Sequence, residues 1–237
     1  MNRSSFACRA ACAVLAAVAL AAMLSSARAD LVTTSPDLPP AGVYVSPADV
    51  HTTYSGPDLE VVLQRVEHRP FTDPVGRDTI GPDEIENFDS SMQGPALVTV
   101  PSMGITNMPA TLNATGPVRT IVYGKVGNTT GTFDTEMLSM SLTGLSPLGP
   151  YMIRESPTLA SLGRTSITDI GGGQYRIGSF FDVFTELSVD GGATWIPSAG
   201  PTRVDLVPEP GTVVLLAVAA FVLGAGAWLR RPRRRAR

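Results

Sequence analysis

The body of this sequence has no cysteine. The only two, Cys8 and Cys12, fall within the first dozen of 237 residues. Disulfides, thiol catalysis and cysteine-held metals are thereby excluded downstream, and a packed core must supply the stability. Histidine is nearly as scarce: His51 and His68 stand alone, with no H-E-x-x-H and no serine elbow beside them. Charged residues make up 16% of the chain, against about 25% in an average soluble domain. A net charge of −3 disfavours a nucleic-acid binder. No glycine-rich loop leads into a helix, as a phosphate cradle would require. Sustained helical periodicity is also missing from the central region, and 23 glycines and 20 prolines argue against a helical bundle or coiled coil.

What the sequence does have is two distinctive ends. Arg3 and Arg9 precede an apolar run over residues 10–24, and Ala27-Arg28-Ala29 places small residues at positions −3 and −1 of an A-x-A site. Residues 1–29 therefore read as a secretory signal peptide cut after Ala29, leaving Asp30 as the mature N-terminus. Both cysteines leave with it. At the other end, Val207-Pro208-Glu209-Pro210-Gly211 precedes residues 212–229, which carry no formal charge. Six arginines follow: Arg230, Arg231, Arg233, Arg234, Arg235 and Arg237. At about 1.5 Å per residue the apolar segment spans roughly 27 Å, close to the hydrocarbon core of a bilayer. The arginine cluster should stay cytoplasmic as a retention tail, with Trp228 at the interface and the body outside the cytoplasm.

This arrangement resembles the PEP-CTERM sorting signal of Gram-negative bacteria. The resemblance covers residues 207–237 and lies in Pro208, Glu209 and Pro210, the apolar run and the terminal arginines. It implies processing near Pro208 to Pro210 by an exosortase, a membrane-embedded cysteine transpeptidase, and delivery of the body to the cell surface or an exopolysaccharide matrix. An uncleaved single-pass anchor is the alternative reading.

The charge balance changes once these ends are set aside. Nine basic residues remain against 21 acidic ones, a net charge of −12 for residues 30–209. Such a body disfavours polyanionic partners.

Between the ends, short apolar stretches are broken by Gly, Pro, Asn and Asp, the pattern of antiparallel strands. Residues 30–57, with five prolines, read as an extended Pro-rich leader, and residues 58–206 as an all-β, antiparallel β-sandwich body. Residues 59–66, 96–100 and 118–126 are candidate strands. Residues 132–142 place Leu138, Met140 and Leu142 on one face, and Gly171-Gly172-Gly173 marks a hairpin. Residues 179–189 alternate Phe181, Val183, Leu187 and Val189 with Asp182, Glu186 and Ser188. The likeness of residues 87–92 to 132–137 hints at a duplicated unit. The β-rich body also resembles those of exported PEP-CTERM proteins of planctomycete-like bacteria, a likeness that implies no activity.

Few motifs carry chemistry. Ser188, Asp190, Gly192, Thr194 and Trp195 fit the S-x-D-x-G-x-T-W Asp-box, read here as a structural turn: the Asp accepts hydrogen bonds from turn amides and the Trp packs beneath. The acidic stretch of Asp73, Asp78, Asp83, Glu84, Glu86 and Asp89 reads as a solvated loop without a known calcium spacing. No catalytic residue, metal or cofactor is expected. The leading expectation is a non-enzymatic exported protein whose partners are signal peptidase, exosortase, the membrane through residues 212–229, and exopolysaccharide. One alternative is a carbohydrate-binding module stacking sugars on Tyr123, Tyr151, Tyr175 or Trp195. A second is a glycan hydrolase using a carboxylate pair such as Asp182 and Glu186, or His68 with a carboxylate.

Overall fold

The computed structural model describes residues 30–40, 42–70 and 76–208. Its fifteen strands are β1 (Leu31–Thr33), β2 (Val43–Val45), β3 (Thr52–Ser55), β4 (Glu60–Leu63), β5 (Glu67–Pro70), β6 (Gly76–Ile80), β7 (Asp83–Val100), β8 (Ile105–Val122), β9 (Gly131–Ser146), β10 (Gly149–Glu155), β11 (Ser161–Gly171), β12 (Gln174–Val183), β13 (Thr185–Ser188), β14 (Ile196–Pro197) and β15 (Thr202–Val207). Every pairing is antiparallel. Among the described residues no helix is long and apolar enough to cross a membrane.

Three long strands, β7, β8 and β9, make one wall. Along β7 the even-numbered residues face inward, with Glu86, Phe88, Ser90, Met92, Ala96 and Val98 all buried. Strands of 18, 18 and 16 residues do not lie flat. Their right-handed twist coils the wall and carries its two edges toward each other. The edges then join. Around one half the order β9-β11-β12-β15-β2-β5-β7-β8 returns to β9, an eight-stranded closed ring. Around the other half β10-β13-β14 and β4-β3 extend from β9 and β7, and a bridge between Tyr54 and Ser198 links them.

The body is therefore all-β and antiparallel, but it is a closed barrel and not the expected sandwich. The physical reason lies at β2. Val43, Tyr44 and Val45 are buried and sit between β15 and β5, with Val45 opposite both Asp205 and Glu67. A sandwich would leave those two edges open, whereas ring closure removes them. The segment expected as an extended leader supplies this strand together with β1 and β3. Its loop also tucks Leu38 into the ring.

Other local differences have equally local causes. The strand expected over residues 179–189 is two strands that break at Phe184, because β12 belongs to the closed ring and β13 to the other half. Phe181, Val183 and Leu187 are buried, while Val189 is 52% exposed. Leu138 does not share a face with Met140 and Leu142. A register shift opposite Arg119 and Thr120 moves the inward phase of β9 from Met137 to Met140, and Leu138 is left 37% exposed. The alike hexapeptides lie on β7 and β9, with Phe88, Met92, Phe133 and Met137 all buried. Their likeness is a shared alternation in one continuous sheet.

Both ends of the barrel occupy one lane. β1 pairs with residues 175–177 of β12 and β15 with residues 180–183, on the same side of that strand. β15 runs toward the point where β1 begins, and the two are separated by about 10 Å along β12.

Candidate functional site

The interior of the closed ring is its most unusual part. A cavity of about 40 Å³ is lined by a polar side chain from six of the eight strands: Tyr44, His68, Glu86, Thr120, Thr135 and Thr165. Phe88, Val118 and Phe181 fill between them, and Leu38 with Pro39 and Pro40 completes the wall.

Most of the polar groups are paired. The Tyr44 hydroxyl donates to Ser179 Oγ at 3.0 Å, and Ser179 shares a 2.8 Å hydrogen bond with Thr165. Thr120 donates to Glu86 Oε2 at 3.0 Å. Among the described residues, no group hydrogen-bonds Glu86 Oε1 or Thr135 Oγ1, which belong to residues each 2% exposed. The nearest cation to Glu86 is Arg77 of β6, whose Nη1 is 3.6 Å from Oε1 and 2.8 Å from Glu84.

Burial outweighs these contacts and pushes the Glu86 carboxyl up to about 8. Burial also pushes the His68 imidazole down to about 4. The signs oppose each other. A raised carboxyl lets the folded state keep a proton that the unfolded chain releases above about 4.5, so stability falls from there up to about pH 8. A lowered histidine has the reverse effect, and its stabilisation is lost as pH falls from 6.5 toward 4. These two groups together leave stability level between about pH 4.5 and 6.5, and Glu155, which burial raises to about 7, tilts that window toward its acid end. Above that range it should decline by roughly 1.4 kcal/mol per pH unit for one such proton. Urea denaturation across pH checks this, with Glu86→Gln flattening the alkaline limb.

The acidic stretch expected to be a solvated loop is instead the β6–β7 hairpin, apart from Asp73, which lies outside the described residues. Among the described residues no three His, Cys, Asp or Glu side chains gather as a metal site. Sequence reading passed over Glu86 because it sits among five other acids. Its signal was phase, since Glu86 shares the inward parity of Phe88, Ser90 and Met92.

The Ser188-to-Trp195 motif is a closed turn between β13 and β14. Ser188 donates to Asp190 Oδ1 at 2.8 Å, and the Thr194 amide and hydroxyl donate to the same carboxylate at 2.9 and 2.6 Å. These bonds, led by the Thr194 hydroxyl, hold the Asp190 carboxyl well below the usual range. Gly192 has φ +89°, and its carbonyl accepts the Trp195 indole N–H at 3.0 Å. Arg154 stacks on the indole at 3.9 Å and pairs with Glu186 at 2.7 Å.

The aromatic side chains suggested for sugar stacking are differently placed. Tyr151 is 3% exposed, and its oxygen accepts the Asn113 amide. Tyr175 packs against the core, and Trp195 is covered by Arg154. Tyr123 is exposed and donates to Glu136 at 2.6 Å. Asp182 and Glu186 stand on different strands and pair with different arginines, Arg203 and Arg154. His51 is exposed and its Nδ1 lies 3.0 Å from the Gln64 carbonyl.

Pro208 directly follows β15. Ala27, Ala29, Glu209, Pro210, the apolar run over 212–229 and the arginine tail lie outside the described residues. No protein-family model, curated protein or solved structure matches the chain.

Proposed function

We propose that this chain is an exported, non-enzymatic β-barrel protein sorted to the cell surface or extracellular matrix through a C-terminal signal of the PEP-CTERM type. In this reading signal peptidase cuts after Ala29. The apolar run over 212–229 and the arginine tail then hold the intermediate in the membrane until an exosortase processes it near Pro208 to Pro210. Exopolysaccharide is the expected surrounding.

The observation that carries this reading is the coincidence of the barrel with the expected processing points. Among the described residues the first strand starts at Leu31, one residue after the expected N-terminus, and the last ends at Val207, immediately before Pro208. Cuts at both points remove every residue of the ends and none of the ring. β1 and β15 pair with the same side of β12, so Leu31 and Val207 lie on one flank of the barrel, which supports a reading in which one side faces the membrane throughout. The acidic, cysteine-free composition suits a body outside the cytoplasm.

Replacing Pro208, Glu209 and Pro210 together by alanine tests the sorting step. The variant should accumulate as a larger, membrane-bound form in place of the processed one. Unchanged mass and location, read by immunoblot of membrane and extracellular fractions, would contradict the proposal.

A further inference from the structure

The long wall splits beyond the middle of β8. Pairing between β8 and β9 starts at Ala114 opposite Gly144, so residues 105–113 pair with β7 alone, while β9 turns back into β10 after Ser146. The wedge between the two hairpins is an apolar pocket of about 230 Å³ on the β4, β10 and β13 side of the barrel. Of its lining side chains, Val61, Val98, Leu112 and Leu187 are buried. Met103, Leu148 and Val189 stand at its mouth and are 65%, 43% and 52% exposed. Neither Leu31 nor Val207 lines it, so the pocket is the same whether or not the ends are processed.

Shape and charge limit the occupant. A strand from another chain is poorly served by the open edge of β8, because Pro109 has no N–H to offer and the Tyr151 hydroxyl already accepts the Asn113 amide at 2.7 Å. An apolar cavity of about 150 Å³ holds benzene, so this one suits a small molecule of about eight to ten heavy atoms. Among the described residues that line the pocket, Asp58 carries the only charge. It is exposed, and the Ser102 turn fixes it: the Ser102 amide donates to Oδ1 at 2.9 Å and the Ser102 hydroxyl donates to Oδ2. These bonds, led by the hydroxyl, hold the carboxyl below its usual range and therefore anionic at neutral pH. Ser146 is engaged within its own turn, donating to the Gly149 carbonyl and accepting the Leu148 amide. An acidic head group would thus meet a fixed carboxylate and no cation, whereas a basic one meets its complement.

We propose that this pocket binds a small apolar amine, its hydrocarbon part between the β7–β8 and β9–β10 hairpins and its ammonium group on Asp58. Each Asp58 oxygen accepts one hydrogen bond from Ser102 and keeps a lone pair for the ammonium. The hydrocarbon part lies against Val98, Leu112 and Leu187, and it covers the exposed side chains of Met103, Leu148 and Val189.

The test is isothermal titration calorimetry of the full chain near neutral pH with octylammonium chloride and with sodium octanoate, at equal ionic strength and below micelle formation. Octylammonium should bind saturably, about five- to tenfold more tightly than octanoate. Asp58→Asn should bring the two affinities within about twofold of each other. Ala110→Phe, which fills the pocket from a lining position on β8, should weaken octylammonium by more than about tenfold. Asp58 is exposed, so Asp58→Asn keeps the proposal testable if the Phe variant does not fold. No saturable binding, or equal affinities for the two ligands in the unaltered chain, would overturn the proposal. A charge preference that persists in Asp58→Asn would place it on the acidic surface at large and overturn it equally. Octylammonium binding unchanged in a folded Ala110→Phe would place the ligand elsewhere, with the same consequence.

Discussion

Gly116→Ala should destabilise the barrel by about 3 kcal/mol, lowering Tm by roughly 6 to 12 °C for a body of this size. Gly116 lies mid-way along β8, at an inward position where the wall passes from the closed ring to the other half. There the backbone of β9 comes so close that a Cβ on Gly116 would overlap the Ser141 carbonyl oxygen. It would also lie 3.1 Å from the Ser141 carbonyl carbon and 3.2 Å from Leu142 Cα. These are backbone atoms held in a ladder on both sides, so no rotamer change relieves them. Gly94 of β7 meets the Arg65 carbonyl in the same way. Both residues have ordinary negative-φ strand conformations, so the requirement is for space and not for an unusual backbone. Gly76→Ala on β6 is the control, since its Cβ would find only ordinary contacts at 3.5 and 3.6 Å. Paired urea titrations read the difference, and a Gly116→Ala variant as stable as Gly76→Ala would show that β9 leaves room for a Cβ there.

The same glycines explain what the sequence concealed. Residues 96–100 and 118–126 read as short strands because Gly94-Pro95 and Gly116-Pro117 look like breaks. In the structure β7 and β8 continue through them without a break. Pro95 and Pro117 point outward, and the glycines make room where the wall bends. The alternation of residues 179–187 and the triple-glycine hairpin were legible because each depends on local pattern alone, whereas the break at Phe184 and the exposure of Val189 were not. Gly171, Gly172 and Gly173 all adopt positive φ between β11 and β12. Ring closure was not legible, because it depends on three residues, Val43 to Val45, too short to register against five prolines. The Asp-box was legible because its bonds span at most four residues. The interior site was hidden because Glu86, Thr120 and Thr135 meet only after three strands are in register.

Removal of residues 30–57 should abolish the fold. That segment would be dispensable as a leader, but as β1, β2 and β3 it closes the ring and bridges the other half. With it go the buried side chains of Leu38, Val43, Tyr44, Val45 and Tyr54. Burying five such groups contributes on the order of 10 kcal/mol, comparable with the whole stability of a typical domain, about 5 to 15 kcal/mol. The loss also leaves β15 and β5 with unpaired edges at the centre of the sheet. The most direct measurement compares urea unfolding of residues 30–208 with that of residues 58–208, followed by circular dichroism. A single cooperative transition is expected for the longer chain and none for the shorter. Equal cooperative transitions in both would contradict a barrel bounded by Leu31 and Val207.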